Sequence, residues 1–233
     1  MNIQPIKTKI FQEGENLFEF ITKYIKKVKE DSIVVVTSKI VALFERRTAK
    51  IENIETKSNL IKRESEFAIP TRYAWLTIRD GVVMASAGID ESNANGKFIM
   101  LPKNSFASAA LLRIQLQKKY KVRNIGVLIT DSRTMPLRAG VSGVAVGYAG
   151  FKGIKDYRGK KDIFGRTFKM SRIDVADSLA SSAVFVMGEG DELQPLALIE
   201  GANVQFCDRV NRKEIYIDIG NDMYRPLFDQ LPK

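Results

Sequence analysis

The chain has 233 residues and a formal net charge of +10, with one cysteine and no histidine. Counting alone excludes an intramolecular disulfide, a Ser-His-Asp triad, a Cys-His dyad and ordinary structural zinc sites. The positive charge suits a polyanionic partner, but the lysines are scattered without the interleaved aromatics of a single-strand binder, so nucleic acid is a minor alternative.

The opening residues, MNIQPIKTKIFQEGEN, lack an apolar signal region, and no apolar run reaches the roughly 20 residues of a spanning helix. A cytoplasmic protein without membrane contact is expected. Leu17, Ile21, Tyr24, Ile25 and Val28 recur at helical spacing behind Gly14 and Asn16. Ser32–Thr37 reads as a buried strand with Ser38 and Lys39 at its end. A charged stretch follows to about Arg72, with a helix expected over Asn59–Phe67 and ended before Pro70. Tyr73–Ile78 and Val82–Ala85 are expected to pair as a hairpin about Asp80-Gly81. Asn104 or Ser105 caps a helix to about Tyr120.

Ile125–Ile129 reads as a core strand ending in Thr130-Asp131-Ser132, followed by Arg133, Arg138 and Gly140, Gly143, Gly147 and Gly150. Phe151–Arg166 is polar and reads as a long loop, with or without short strands. Ser171 and Asp174 resemble a capping box for a helix to Met187, with Gly188 as its left-handed terminator. Leu196–Ile199 is a strand, and Val204–Phe206 with Glu214–Ile219 form a candidate late hairpin. Alternating strands and helices give an α/β class, with one domain over residues 1–233.

Three acidic clusters lie just past apolar elements: Asp90, Asp131 with Ser132, and Glu189. Carboxylates and hydroxyls converging from loop positions are the donors a hard cation such as Mg²⁺ or Mn²⁺ takes. Ser38 and Lys39 read either as a phosphate contact or as an ordinary polar loop. Neither a P-loop nor a G-x-G-x-x-G turn is present. The glycines fit close approach of a ligand or tight strand packing equally well. Arg158, Lys160, Lys161 and Arg166 suit an acidic substrate or a solvated loop.

The runs TSKIVA, AGIDESN, ITDSRTMPLRAGVSGVAVGYAG, DYRGKKDIFGR and ADSLASSAVFVMGEGDELQPLALIEG strongly resemble the coenzyme F420-0:L-glutamate ligase family, the gamma-glutamyl ligases. The resemblance implies a mixed-sheet α/β fold of the gamma-glutamyl-ligase type, forming an intertwined homodimer. It implies GTP as co-substrate, Mg²⁺ or Mn²⁺ as cofactor, and L-glutamate joined to a carboxylate of a deazaflavin precursor through an acyl phosphate. By resemblance Asp90, Asp131, Ser132 and Glu189 fall on metal-ligand positions. Ser38, Lys39, Asn93 and the loop Met187, Gly188, Glu189, Gly190, Asp191, Glu192, Leu193 and Gln194 fall on nucleotide positions, and Thr8, Lys9, Ile10 and Phe11 align with a further nucleotide segment. Arg133, Arg138, Arg158 and Arg166 are the candidate substrate cations.

Two departures stand out. Leu43 occupies the place of a second family lysine, and Thr134-Met135-Pro136-Leu137-Arg138 replaces the family's Gly-Arg-Pro-Trp-Arg. They leave room for a paralogue with a different acid acceptor, or for a nucleotide- and metal-binding protein without ligase activity.

Overall fold

The computed structural model describes residues 1–51 and 54–228, with the side chains of residues 54–56 left aside. The chain opens with strand β1 (Asn2–Ile6) and helix α1 (Leu17–Tyr24). Asn16 caps α1 by accepting the Glu19 amide at 3.1 Å. The helix stops at Tyr24, short of Val28; Ile25 and Val28 are buried from the loop that follows. Next come β2 (Ser32–Thr37), α2 (Ser38–Phe44), β3 (Thr48–Lys50) and α3 (Ile54–Glu64). The helix expected over Asn59–Phe67 therefore lies earlier, and Phe67 belongs to β4 (Phe67–Pro70). Pro70 ends this strand, where its missing N–H does no harm.

β5 (Trp75–Arg79) and β6 (Val82–Ala85) form the expected hairpin. Asp80 and Gly81 both take positive φ, 49° and 72°, as a two-residue turn between twisted strands requires. β7 (Lys97–Ile99) pairs with β3, and α4 (Ser105–Tyr120) starts from an Asn104 cap. β8 (Ile125–Thr134), β9 (Val141–Ala149), β10 (Ile154–Asp156), β11 (Arg172–Asp174), α5 (Val175–Met187), β12 (Leu196–Glu200) and the short α6 (Arg225–Phe228) complete the order.

The central sheet runs β1-β12-β2-β8-β9, with β2 and β8 parallel and every other pair antiparallel. β2 is apolar throughout its interior because it is covered on both sides. Val34, Val36, Val127 and Ile129 meet α1, α2 and α4 on one face. Ile33, Val35 and Leu128 meet α5 on the other. Burial of each such side chain contributes roughly 1.5–3 kcal/mol.

Several sequence expectations need correction. β8 does not end at Ile129: it continues through Asp131 and Ser132 to Thr134, because the glycine-spaced segment is its antiparallel partner β9. Ser171 does not cap α5, since residues 172–174 pair with β10; Asp174 caps it, accepting the Asp177 amide at 2.9 Å. Gly188 takes φ 84° and ψ 169°, not the left-handed helical values. Val204–Phe206 and Glu214–Ile219 form no hairpin. Instead the Glu214 carboxylate accepts the Tyr148 hydroxyl at 2.8 Å and the Gly153 amide at 2.6 Å, fixing this segment by side-chain bonds.

The β8–β9 register slips between Ile129 and Thr130, leaving Val146 as the extra residue of a bulge. The amide of Ala145 beside it donates to Asp177 of α5 at 2.9 Å, and the other Asp177 oxygen takes Arg133 at 3.1 Å. One carboxylate thus satisfies the bulge and orders the start of the hairpin turn. Asp177→Ala is expected to cost about 1–3 kcal/mol, read by urea denaturation, because a half-buried amide loses its acceptor.

Candidate active site

The parallel strands β2 and β8 end together, Thr37 opposite Thr130. Ligands of open α/β sheets sit outside such carboxyl ends. β2 turns at once into α2, which places Ser38 and Lys39 there. β8 runs on past its neighbour, which places Asp131 and Ser132 beside them. Successive strand residues point to opposite faces, and their partners agree. Asp131 accepts the Ser38 hydroxyl at 3.2 Å on the α2 side, and Ser132 donates to Glu189, just beyond α5.

Asp90 arrives from the small sheets. Ser86, Ala87 and Gly88 take three consecutive positive φ values, 50°, 56° and 69°, turning the chain out of β6. Asp90 then bridges Ile99 by two backbone bonds of 2.9 Å. Its carboxylate receives the Lys39 ammonium at 2.7 Å and the Ser92 amide and hydroxyl, each at 2.7 Å. Lys39 also donates to the Ser92 carbonyl at 2.8 Å, which pins the acidic loop to α2.

The two carboxyls differ in electrostatics. Burial, the largest influence on Asp90, pushes it up, but Lys39 and Ser92 together hold it below its ordinary value. Asp131 is pushed up to about 6, first by burial and further by the Asp90 charge, against the opposing pull of the Ser132 amide, Ser38 and Lys39. Asp131 is therefore a carboxylate short of positive charge. A hard cation would relieve that shortage, and oxygen donors are what such a cation takes.

Of the metal-ligand candidates, Asp90 and Asp131 lie close on one face, while Ser132 and Glu189 approach from the other. Among the described residues no three acidic or cysteine side chains converge into a ready cage. The nucleotide candidates share this end of the sheet. The Asn93 side-chain amide donates to the Gly190 carbonyl at 3.1 Å, the Thr8 amide to Leu193 at 2.8 Å, and the Thr37 amide to Pro195 at 3.0 Å. Within the loop from Met187 to Gln194, Glu192 folds back on the Gly190 amide at 2.8 Å. Phe11 and Met187 spend their side chains in the core, and Lys9 pairs with Glu15 at 2.8 Å; Ile10 is exposed.

The substrate arginines are not gathered. Arg133 is held by Asp177, Arg158 is tied to Asp156 at 2.6 Å, and Arg138 and Arg166 stand exposed in separate loops. Leu43 is partly buried against Ala42, Ala94 and Ile99, so Lys39 is the sole cation on α2. Asp177 was not visible as a site residue in the sequence: nothing local marks an acid in a helix as the partner of a strand bulge.

Carboxylates, hydroxyls and one ammonium thus meet at the carboxyl end of an α/β sheet. The profile of the F420-0:Gamma-glutamyl ligase family matches residues 5–201. The Coenzyme F420:L-glutamate ligase of Methanocaldococcus jannaschii is 32% identical, over 93% of this chain and 90% of that protein. The protein of that name from Methanopyrus kandleri is 32% identical, covering 84% of both chains. A third, from Methanothermobacter thermautotrophicus, is 43% identical over 53% of this chain and 49% of its own. The chain belongs to the F420-0:gamma-glutamyl ligase family and is a ligase of the acid–amino acid type. Among the described residues no helix is long and apolar enough to cross a membrane.

Proposed function

We propose that this chain, acting as a single domain, ligates L-glutamate to a carboxylate of a deazaflavin coenzyme precursor or a related acid, with GTP as phosphoryl donor. The observation that carries this reading is the meeting of Asp131, Ser38, Asp90 and Lys39 at the ends of β2 and β8. The names of the relatives support the glutamate and the deazaflavin acceptor.

Asp90, Asp131, Ser132 and Glu189 would hold Mg²⁺ or Mn²⁺, which supplies neutralisation of phosphate charge. Lys39 orients Asp90 and adds the one fixed ammonium of the site. Thr8, Asn93 and the loop 187–194, already joined by hydrogen bonds, form the nucleotide cradle. An acceptor carboxylate oxygen attacks the γ-phosphorus and GDP leaves. The glutamate amine then attacks the acyl carbon, phosphate leaves, and the nitrogen gives up its proton. Phosphoryl transfer of this kind requires positioning and charge neutralisation more than a proton shuttle, which suits a chain without histidine.

A homodimer completes the reading. Ile163, Phe164, Met170 and Phe185 are 84–92% exposed, apolar surface that a second copy would cover. Incubation with GTP, Mn²⁺, L-glutamate and the deazaflavin precursor tests the function: a glutamylated product supports it, and GTP turnover indifferent to every acid supplied counts against it. Lys39→Met is expected to lower kcat/KM for GTP about 100-fold, since it removes a fixed charge at the phosphate site. Some loss of melting temperature is expected as well, because the Asp90 carboxylate and the Ser92 carbonyl lose their partner, and an unaltered rate would remove Lys39 from the site.

A further inference from the structure

One buried hydroxyl ties down the turn that leads to Asp90. Thr77 of β5 is fully buried. Its hydroxyl donates to the Met84 carbonyl at 2.7 Å and accepts the Ala87 amide at 2.8 Å. It thereby joins β6 to the segment that leaves it. The register that pairs Leu76 with Ala85 would set Trp75 against Ser86 next. The chain turns away there instead, and the Ser86 hydroxyl takes the Trp75 amide at 3.4 Å.

This turn is unfavourable by itself. Ser86 and Ala87 carry side chains at φ 50° and 56°, a left-handed conformation that L-residues avoid. Such backbone persists only where its surroundings over-determine it. Here they do. Arg79 lies two residues from Thr77 on the same face of β5 and is also buried. It donates to the Ala87 carbonyl at 3.4 Å and meets Glu64 of α3 at 3.0 Å. Glu64 also receives Arg47, whose Nε donates to the Leu101 carbonyl at 3.1 Å. Leu101 packs against the turn so closely that a Cβ on Gly88 would stand 2.7 Å from its Cγ. The Ile89 amide donates to the Ser86 carbonyl at 2.9 Å, and Asp90 follows. Thr77 bonds the turn and not Asp90, so any influence on that carboxylate runs through the backbone.

We propose that Thr77 is a positioning residue for the site. Its hydroxyl fixes the Ser86–Gly88 turn, and the turn fixes the Asp90 carboxylate as a ligand for a hard cation. The consequence for the metal rests on the ligand role given to Asp90 above; control of the turn does not.

Two readouts test this, and neither needs ligation. Binding of Mn²⁺ alone is followed by the paramagnetic resonance of the free ion. Thr77→Val keeps the shape and removes the hydroxyl. It should weaken Mn²⁺ binding at least about tenfold, and Thr77→Ser should restore it. Amide hydrogen exchange in the metal-free protein reads the turn. Asp90 and Ile99, which bond each other through their backbones at 2.9 Å, should exchange faster in Thr77→Val. Val34 and Val127, paired in the central sheet, should keep the wild-type rate. Should Thr77→Val fail to fold, Gly88→Ala displaces the same turn with Thr77 intact and must produce the same two changes. A variant that melts lower yet binds Mn²⁺ as the wild type does, or a serine as weak as the valine, overturns the positioning role. Unchanged exchange at Asp90 and Ile99 overturns control of the turn. A wild-type protein that binds no Mn²⁺ refutes the ligand role of Asp90, and the exchange readout still decides whether Thr77 sets the turn.

Discussion

Asp131→Asn is expected to reduce ligation by about 1,000-fold or more while making the metal-free protein more stable above pH 6. The loss of activity follows from position. Asp131 is the carboxylate at which β8 outruns β2, bonded to Ser38 and close enough to Asp90 to feel its charge. An asparagine keeps the shape and removes the charge that would hold a cation.

The gain in stability follows from the raised pKa. The folded carboxyl titrates near 6, whereas its ordinary value is 3.8. A carboxyl raised in the fold stabilises while protonated, fully below about pH 3.8, and that contribution is lost as the pH climbs through 6. Above that, the ionised Asp131 is a standing cost with a ceiling of about 3 kcal/mol, reduced by its partial exposure to solvent. Asparagine has no such cost. Melting curves in EDTA should therefore show the variant's advantage growing from pH 4 to 6 and level beyond. A variant that melts lower at pH 8, or ligates at the wild-type rate, removes Asp131 from its assigned role.

Gly147→Ala is expected to destabilise the fold by about 3 kcal/mol or more, through overpacking against backbone that cannot swing away. A Cβ at Gly147 would stand 2.4 Å from the carbonyl carbon of Ser105, and one at Gly143 would stand 2.4 Å from the carbonyl oxygen of Ala180. These two glycines let α4 and α5 close on opposite faces of β9. Gly140 differs: nothing lies within 4 Å of its absent Cβ, and only its φ of 88° resists a side chain. Gly140→Ala should cost about 1–2 kcal/mol. Chemical denaturation of the two variants checks the order, and equal losses would contradict the packing argument.

The elements carried by local signals were readable in the sequence. The SIVVVT run is a doubly covered strand, Asp80-Gly81 is a hairpin turn, and Asn104 opens α4. β9 was not readable, because glycine is a poor strand residue. Only the helices packed on both faces explain why VSGVAVGYA contains two. The extension of β8 was hidden for the same reason, since it exists only where β9 pairs with it. The acidic residues and Lys39 were legible as chemistry, and the structure gathers Asp90, Asp131, Ser38 and Lys39 at the carboxyl ends of β2 and β8. The arginines were not: the carboxylate that occupies Arg133 comes from α5 by a tertiary contact, and Arg158 is tied to Asp156 two residues before it in its own loop.

The most direct measurement follows one oxygen atom. With the acceptor carboxylate labelled by ¹⁸O, ligation through an acyl phosphate transfers one label to the phosphate released with each amide formed, in equal yield with GDP. Labelled phosphate, GDP and glutamylated product are expected in a 1:1:1 ratio, all dependent on Mg²⁺ or Mn²⁺. Amide product with unlabelled phosphate, or GDP without amide, would contradict it.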